Sequence, residues 1–274
     1  MSDAQKIYFT GSIPEHYDKF LGPMYFEPYA ADLVNKFDGS AMEMVLEIGC
    51  GTGRVTRHLR NSLPDHCTLI ASDISEDMLS YAKDKLKDEN IEWKIVDAQS
   101  LPFEDGSMDM VVSCFAFMFI EDKSKAFAEV HRVLKNGGIF LLSLWDKLEL
   151  NGPSNTYRKI IKEYITEALP KIYALPYSFN EKNEVISYFE QSGFANISVE
   201  QDKKEAVSTS VKDAAFGLSR GGSLYNEIMN RNPAWVDEIQ KKLESALLEN
   251  YGDNPMIAPM IAVVCKATKP QLNI

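Results

Sequence analysis

Short apolar runs alternate with stretches of helical periodicity through the first half of the chain. The runs at 45–48, 68–72, 91–96, 108–113 and 139–145 are bounded by Gly, Pro, Asp or Ser, which predicts five buried strands. The stretches between them are apolar on one helical face. Ala30, Leu33, Val34 and Phe37 share a face behind Phe26-Glu27-Pro28, where proline suits a first turn, and Asp38-Gly39-Ser40 ends that helix. Val55 and Leu59 point inward from the next. Ser75 is placed to cap another, with Glu76 and Asp77 in its first turn and Met78, Leu79, Ala82 and Leu86 as its stripe. Asp122 can cap a fourth that buries Ala126, Phe127, Val130, Val133 and Leu134 before Asn136-Gly137-Gly138 stops it. Strands alternating with helices predict an α/β fold with a doubly wound, mostly parallel sheet and right-handed crossovers.

After Trp145 the pattern loosens. Asn151-Gly152-Pro153-Ser154 is a turn that leads into a helix with Tyr157, Ile160, Ile161, Tyr164, Ile165 and Ala168 on one face. Pro170 and Pro176 bracket an aromatic linker over 173–179. A helix follows over 181–191, ended by Gly193, then a strand over 195–200. Helical patterns near 211–218 and 233–248 separate that strand from a last one at 257–267. A hairpin does not need so long an excursion, so the inserted segment reads as a lid.

The most specific chemical signal is Gly49-Cys50-Gly51-Thr52-Gly53, directly behind the first strand. Such a loop at the carboxyl end of a strand lets the backbone approach a ligand closely. A nicotinamide or flavin fingerprint needs its third glycine at position 54, which is Arg54. Asp73 ends the second strand and can accept hydrogen bonds from both hydroxyls of a ribose, which suits either class of nucleoside ligand. The third strand ends in Asp97-Ala98-Gln99, and Leu101-Pro102-Phe103 follows.

On Glu47 to Gly53, Asp73, Asp97 with Leu101-Pro102-Phe103, and Arg132-Val133-Leu134-Lys135-Asn136-Gly137-Gly138, the chain resembles the class I S-adenosylmethionine-dependent methyltransferases. It is most similar to the small-molecule group that includes the ubiquinone/menaquinone methyltransferases. The resemblance covers roughly residues 15–145, with a weaker echo in the last strand. It implies a Rossmann-like sheet of seven strands, S-adenosyl-L-methionine as cofactor and S-adenosyl-L-homocysteine as product. The amides of Gly49, Cys50, Gly51 and Gly53 then face the methionyl end of the cofactor. Glu47 either holds its amino group or braces the loop, and Arg54 either meets its carboxylate or is an exposed helix arginine. Asp73 is the ribose acceptor or a helix cap, and Ile74 and Met78 sandwich the adenine or belong to the core. Asp97 would accept the adenine amino group and Ala98 offer its backbone amide, with Gln99 beside them, or the three form a plain strand-end turn. Ser113 to Phe115 would lie beside the sulfonium, where Phe115 shields it or packs the core. Tyr17 lies in the segment that folds over the cofactor in similar enzymes, and His16 beside it is a candidate base. Asp109, His58 and His131 read as structural. Two stretches depart from the quinone subgroup: Tyr17-Asp18 continues as Lys19-Phe20-Leu21, and Ser143-Leu144-Trp145 replaces a Glu-x-Ser signature. The fold therefore transfers, while the quinone substrate does not.

These readings divide the chain into amino-terminal cap helices (1–40), a cofactor-binding core (41–205), a helical lid inserted before the last strand (206–255), and that strand with a tail (256–274). Tyr17, Tyr25, the linker over 173–177 and the lid over 211–251 are expected to close over one acceptor pocket, with Arg220-Gly221-Gly222-Ser223 and Tyr225 as its polar, mobile part. The formal net charge of −11 disfavours nucleic acid and anionic membranes, and points to a small-molecule acceptor. Four scattered cysteines suggest neither a disulfide scaffold nor a metal site. Residues 1–10 lack a signal peptide's basic and apolar regions, and the apolar run at 111–120 is too short to span a bilayer. A cytoplasmic monomer or homodimer is expected. Two other classes stay open: a nicotinamide-dependent oxidoreductase, which leaves Arg54 and the Asp97 segment unexplained, and a catalytically inactive binding protein of the same fold.

Overall fold

The computed structural model describes residues 11–167 and 174–271. Seven strands form one sheet: β1 (Met44–Ile48), β2 (Thr68–Asp73), β3 (Glu92–Ile95), β4 (Met108–Cys114), β5 (Leu134–Trp145), β6 (Ala195–Ser208) and β7 (Met256–Thr268). Their order is β3-β2-β1-β4-β5-β7-β6, and only β7 runs antiparallel to its neighbours. The chain leaves β1 toward β2 on one side and returns to β4 on the other. That reversal opens a crevice at the carboxyl ends of β1 and β4, where α/β sheets take ligands.

The helices are α1 (Ile13–His16), α2 (Glu27–Leu33), α3 (Arg54–Ser62), α4 (Glu76–Lys85), α5 (Lys123–Val133), α6 (Gly152–Tyr164), α7 (Lys182–Gln191), α8 (Val211–Arg220), α9 (Leu224–Arg231) and α10 (Ala234–Tyr251). Both expected caps form. Ser75 Oγ accepts from the Met78 N–H at 3.3 Å, and Asp122 Oδ1 from the Lys125 N–H at 3.0 Å. The central strands are buried on both faces, as helices on both sides require. On one face Phe117, Phe127, Phe140 and Phe189 interlock, with centroid distances of 4.9–5.7 Å among touching pairs. On the other, Ala30, Leu33, Val45, Leu59, Leu69 and Leu141 pack together.

Two of the sequence motifs prove to brace the scaffold. Arg132 donates to the carbonyls of Leu101 and Phe103, both at 2.8 Å, while Glu129 accepts the Leu101 N–H at 2.8 Å. The Leu101-Pro102-Phe103 turn is thereby tied to α5. Asp109 accepts the N–H groups of Glu43 and Met44 and pairs with Lys135 at 2.7 Å, a structural role.

Three features differ from the sequence pattern. β6 runs on to Ser208, well past residue 200, and pairs with β7 down to Ser208–Met256. Its second half, Gln201-Asp202-Lys203-Lys204-Glu205, reads as a polar loop, yet an edge strand needs no apolar alternation and is protected by charge. α9 was not visible because only Leu224 and Ile228 bury themselves along it. Residues Tyr17–Phe26 form a π-helix, with the Glu27 N–H reaching the Gly22 carbonyl. Such wide turns are rare and frequent at functional sites. The expectations about residues 1–10, Ala168, Pro170 and Tyr173 fall outside the described residues.

Candidate active site

A cavity of about 180 Å³ opens at the carboxyl ends of β1, β2 and β4. The glycine loop is its floor. Gly49, at φ +73°, sits so close to the β4 end that a Cβ would collide with the Ala116 methyl. Gly51, at φ +54°, has no atom within 4 Å of its would-be Cβ and lines the open cleft. Asp73 fastens this loop: Oδ2 accepts the Gly51 N–H at 2.8 Å and Oδ1 the Ser75 N–H at 2.8 Å. Each carboxylate oxygen keeps a second lone-pair site for a ribose hydroxyl. Burial raises the Asp73 carboxyl above its usual range.

Glu47 is only 1% exposed, yet it lines the cleft with one carboxylate oxygen, Oε2, lacking any partner. Burial pushes its carboxyl up from an ordinary 4.5 to about 8; Thr56 opposes the shift and the Asp73 charge adds to it. A buried acceptor without a donor is costly unless a ligand supplies one. The α-ammonium of a methionyl group fits that need, and Gly51 leaves room for it. Ile74, Met78, Val96, Ala98 and Ile120 make an apolar wall for the flat base of a nucleoside.

Five sequence candidates do not line this cleft. Gly53, at φ +78°, faces α4 instead, where a Cβ would lie 3.0 Å from Leu86 and 3.2 Å from Ala82. Asp97 Oδ1 accepts from the Gln99 N–H at 2.9 Å and from its side chain at 3.1 Å, while Gln99 Oε1 accepts the Asp122 N–H at 3.0 Å. The pair therefore ties the β3 end to the start of α5. Ser113 is fully buried and donates to the Ile48 carbonyl at 2.9 Å. Successive residues of an extended chain face opposite ways, so Val96, Ala98 and Cys114 turn to the cleft where Asp97 and Ser113 turn away. His16 lines neither this cavity nor its neighbour; its ring meets Phe216 of α8 edge-on at 5.2 Å.

A residue that sequence reasoning passed over ties the amino-terminal segment to the glycine loop and α4. Asp18, on the π-helix, is buried and accepts from Lys85 Nζ at 2.7 and 2.8 Å and from Thr52 Oγ1 at 2.9 Å. Arg54 joins it at 3.2 Å and pairs with Glu27 at 2.8 Å, so this arginine is held by the amino-terminal segment while lining the cleft. Gly22 makes room for that guanidinium, which a Cβ there would strike. The only sequence signal was Asp18's place beside Tyr17. Asp18→Ala is expected to weaken cofactor binding by about 1–3 kcal/mol, because Lys85 and Arg54 lose a shared buried acceptor and the segment loosens. Calorimetric affinity unchanged from wild type would remove the clamp from the site.

A second cavity, of about 170 Å³, adjoins the first. Tyr17, Phe26, Phe115 and Phe119 line both. Phe115 holds φ +56°, a left-handed conformation that costs a bulky residue roughly 1–3 kcal/mol. Its N–H bonds the Ser143 carbonyl at 2.8 Å, and its ring stacks on Trp145 at 4.1 Å. Phe26 and Tyr29 meet that ring edge-on at 5.5 and 5.3 Å, and Tyr17 stacks on Phe26 at 4.9 Å. Farther in, the Tyr25 hydroxyl bonds Ser154 Oγ at 2.9 Å. Burial, first of all, keeps the Tyr17 and Tyr25 phenols far above their ordinary range and pushes Tyr177 to about 12, so all three hold their protons at neutral pH.

Of the residues expected around the acceptor, Tyr17, Tyr25, Tyr177, Gly222 and Ser223 line this chamber. Tyr225 does not. Arg220 turns away to Gln240 and to Asp237 at 2.5 Å, with its guanidinium over Phe216.

Known proteins can be set beside this geometry. A profile described as a methyltransferase domain matches residues 46–142. The demethylmenaquinone methyltransferase of Staphylococcus haemolyticus is 31% identical over 170 residues, covering 56% of this chain and 69% of the relative. The ubiquinone/menaquinone biosynthesis C-methyltransferase UbiE of Teredinibacter turnerae is 34% identical over 142 residues, and the chain spans half of that relative's length. Among solved structures, the YcgJ protein of Bacillus subtilis superposes with a TM-score of 0.58 at 18% identity, covering 89% of this chain and 99% of that one. Phosphoethanolamine N-methyltransferase 2 of Haemonchus contortus, solved with S-adenosyl-L-methionine, gives 0.53 at 19% identity, covering 96% and 61%. These structural likenesses are of fold.

Proposed function

The chain belongs to the class I S-adenosylmethionine-dependent methyltransferases, and we propose that it methylates a small, partly aromatic molecule held in the second chamber. The observation that carries this reading is the set of four rings, Tyr17, Phe26, Phe115 and Phe119, that borders both cavities. When bound, S-adenosylmethionine supplies a methyl group already activated by a positive sulfur. The chain's part is to orient two reactants and exclude water, and orientation is worth roughly 7–11 kcal/mol. Aromatic faces at the junction favour a cation by about 0.5–2 kcal/mol. Among the described residues no carboxylate or imidazole lines the chamber, and the phenols of Tyr17, Tyr25 and Tyr177 hold their protons. The reading is therefore of an acceptor whose nucleophile needs no carboxylate or histidine base. Tyr17 acts as a hydrogen-bond donor and orienting group.

The names of the relatives point to quinone rings, but both departures from that subgroup bear on the chamber: Leu21 and Trp145 line it. An acceptor of different shape follows. Residues 206–255 serve as the lid in this reading, supported by Leu218, Gly222 and Ser223 at the chamber wall. Among the described residues no helix is long and apolar enough to cross a membrane. A cytoplasmic monomer or homodimer, with no nucleic-acid partner, completes the proposal. Incubation with methyl-labelled cofactor and a fractionated metabolite extract should label a small molecule. Labelled nucleic acid or protein, with every small-molecule fraction blank, would sink the acceptor class. Tighter binding of a nicotinamide dinucleotide than of S-adenosylmethionine would sink the whole reading.

A further inference from the structure

We infer that the acceptor carries an anionic group and that Arg158 reads it; this rests on the chamber being the acceptor site. The chain has seven arginines. Arg54, Arg57, Arg132, Arg220 and Arg231 each pair with a carboxylate, and Arg60 donates to the carbonyls of Cys67 and Leu63. Arg158, half-buried on α6, has no hydrogen-bond or carboxylate partner among the described residues. Residues 168–173, which follow α6 closely, hold no carboxylate either. The chain carries 40 acidic side chains against 29 basic ones, so an arginine with no carboxylate among the described residues is against the odds of composition.

Its place explains the omission. Arg158 lines the inner chamber, where it is the one charged side chain among the described residues, and also an outer groove with Lys159 and Lys162. Lys147 at the same groove is already paired with Glu181 at 3.0 Å, and Glu149 is the groove's other acid. A half-buried guanidinium at the end of an aromatic chamber, with no carboxylate among the described residues, is short of a counter-charge. A carboxylate or phosphate of the acceptor supplies it in forked geometry, with the Tyr177 phenol and Ser154 hydroxyl alongside. The ring of such an acceptor lies against Phe115 and Trp145, and its charged end meets Arg158. This arginine thus selects among small aromatic molecules for anionic ones.

The test uses the enzyme saturated with S-adenosylhomocysteine and three probes of similar shape: 2-naphthoate, 2-naphthyl phosphate and neutral 2-naphthamide. Calorimetry should find at least one anion bound about tenfold or more tighter than the amide. Arg158→Gln should bring that ratio close to one, Arg158→Lys should keep part of it, and both should bind S-adenosylhomocysteine as wild type does. The better of the two anions identifies the acceptor's charged group as carboxylate or phosphate. Equal binding of anions and amide by the wild type, or a preference that survives Arg158→Gln, overturns the role of Arg158 and leaves the chamber standing. Failure of all three probes, with the product cofactor still bound, overturns the chamber and this inference together.

Discussion

Gly51→Val is expected to abolish S-adenosylmethionine binding while the sheet stays folded. The position is at φ +54°, and a Cβ there meets no atom beyond its chain neighbours within 4 Å. The folded protein can therefore house it, at a cost of about 1–2 kcal/mol for a β-branched residue in left-handed backbone. The cleft cannot, because the added methyls fill the space over the loop where a ligand must touch the backbone. Affinity should fall by more than a hundredfold, about 3 kcal/mol, with far-UV dichroism near wild type and a melting temperature lower by several degrees. The same change at Gly49 differs in kind, since a Cβ collides with Ala116 and damages the joint between β1 and β4. Wild-type affinity in Gly51→Val would show that the loop does not face the cofactor.

Glu47→Gln should move stability and binding in opposite directions. In the ligand-free fold the carboxyl stays protonated up to about pH 8, against an ordinary 4.5. The native state then holds a proton that the unfolded chain has lost, so stability is full below the unfolded value and declines as pH rises through the folded one. The decline is on the order of 3–5 kcal/mol across that window, and Asp73, also raised by burial, adds to it with the same sign. Glutamine has no proton to lose. The variant should melt with a shallower pH dependence and exceed wild type in stability near pH 8. Its cofactor affinity should drop by about 1–3 kcal/mol through loss of an ionised partner for the ammonium. Wild type should release a proton on binding near neutral pH, visible as a buffer-dependent heat, and the variant should not. Matching melts from pH 5 to 8.5 together with matching affinities would remove Glu47 from both roles.

Much of the cofactor half was readable from residue order. The glycine loop, Asp73 and the helix stripe beginning at Met78 lie within short windows whose geometry follows from local chemistry: positive φ at glycine, a cap at Ser75, alternation along a strand. Asp97, Gln99 and Ser113 were placed at the correct strand ends, but the side chains that turn inward are their neighbours Val96, Ala98 and Cys114. Which residue of an alternating pair faces a ligand depends on the register of the whole strand against its partners. That information is not in the window.

The second chamber was legible only in part. Tyr17, Tyr25, the linker that holds Tyr177 and the lid were expected at one pocket, whereas Trp145 and the reach of Phe115 into it were not, and the strained backbone at Phe115 has no sequence signature. Asp18 lies 67 residues from the Lys85 it grips. In the sequence Arg158 is like any other cation on an amphipathic helix; only the fold places it at the chamber with no carboxylate partner among the described residues. The order of strands, helices and turns by itself determined the doubly wound sheet and the glycine loop that floors the cleft, because those follow from contacts within a few residues. Tertiary structure alone decided which further rings, Phe115 and Trp145 among them, share that chamber, which charges among the described residues face no carboxylate and how far β6 runs, because these depend on crossovers and register that bring remote segments into contact.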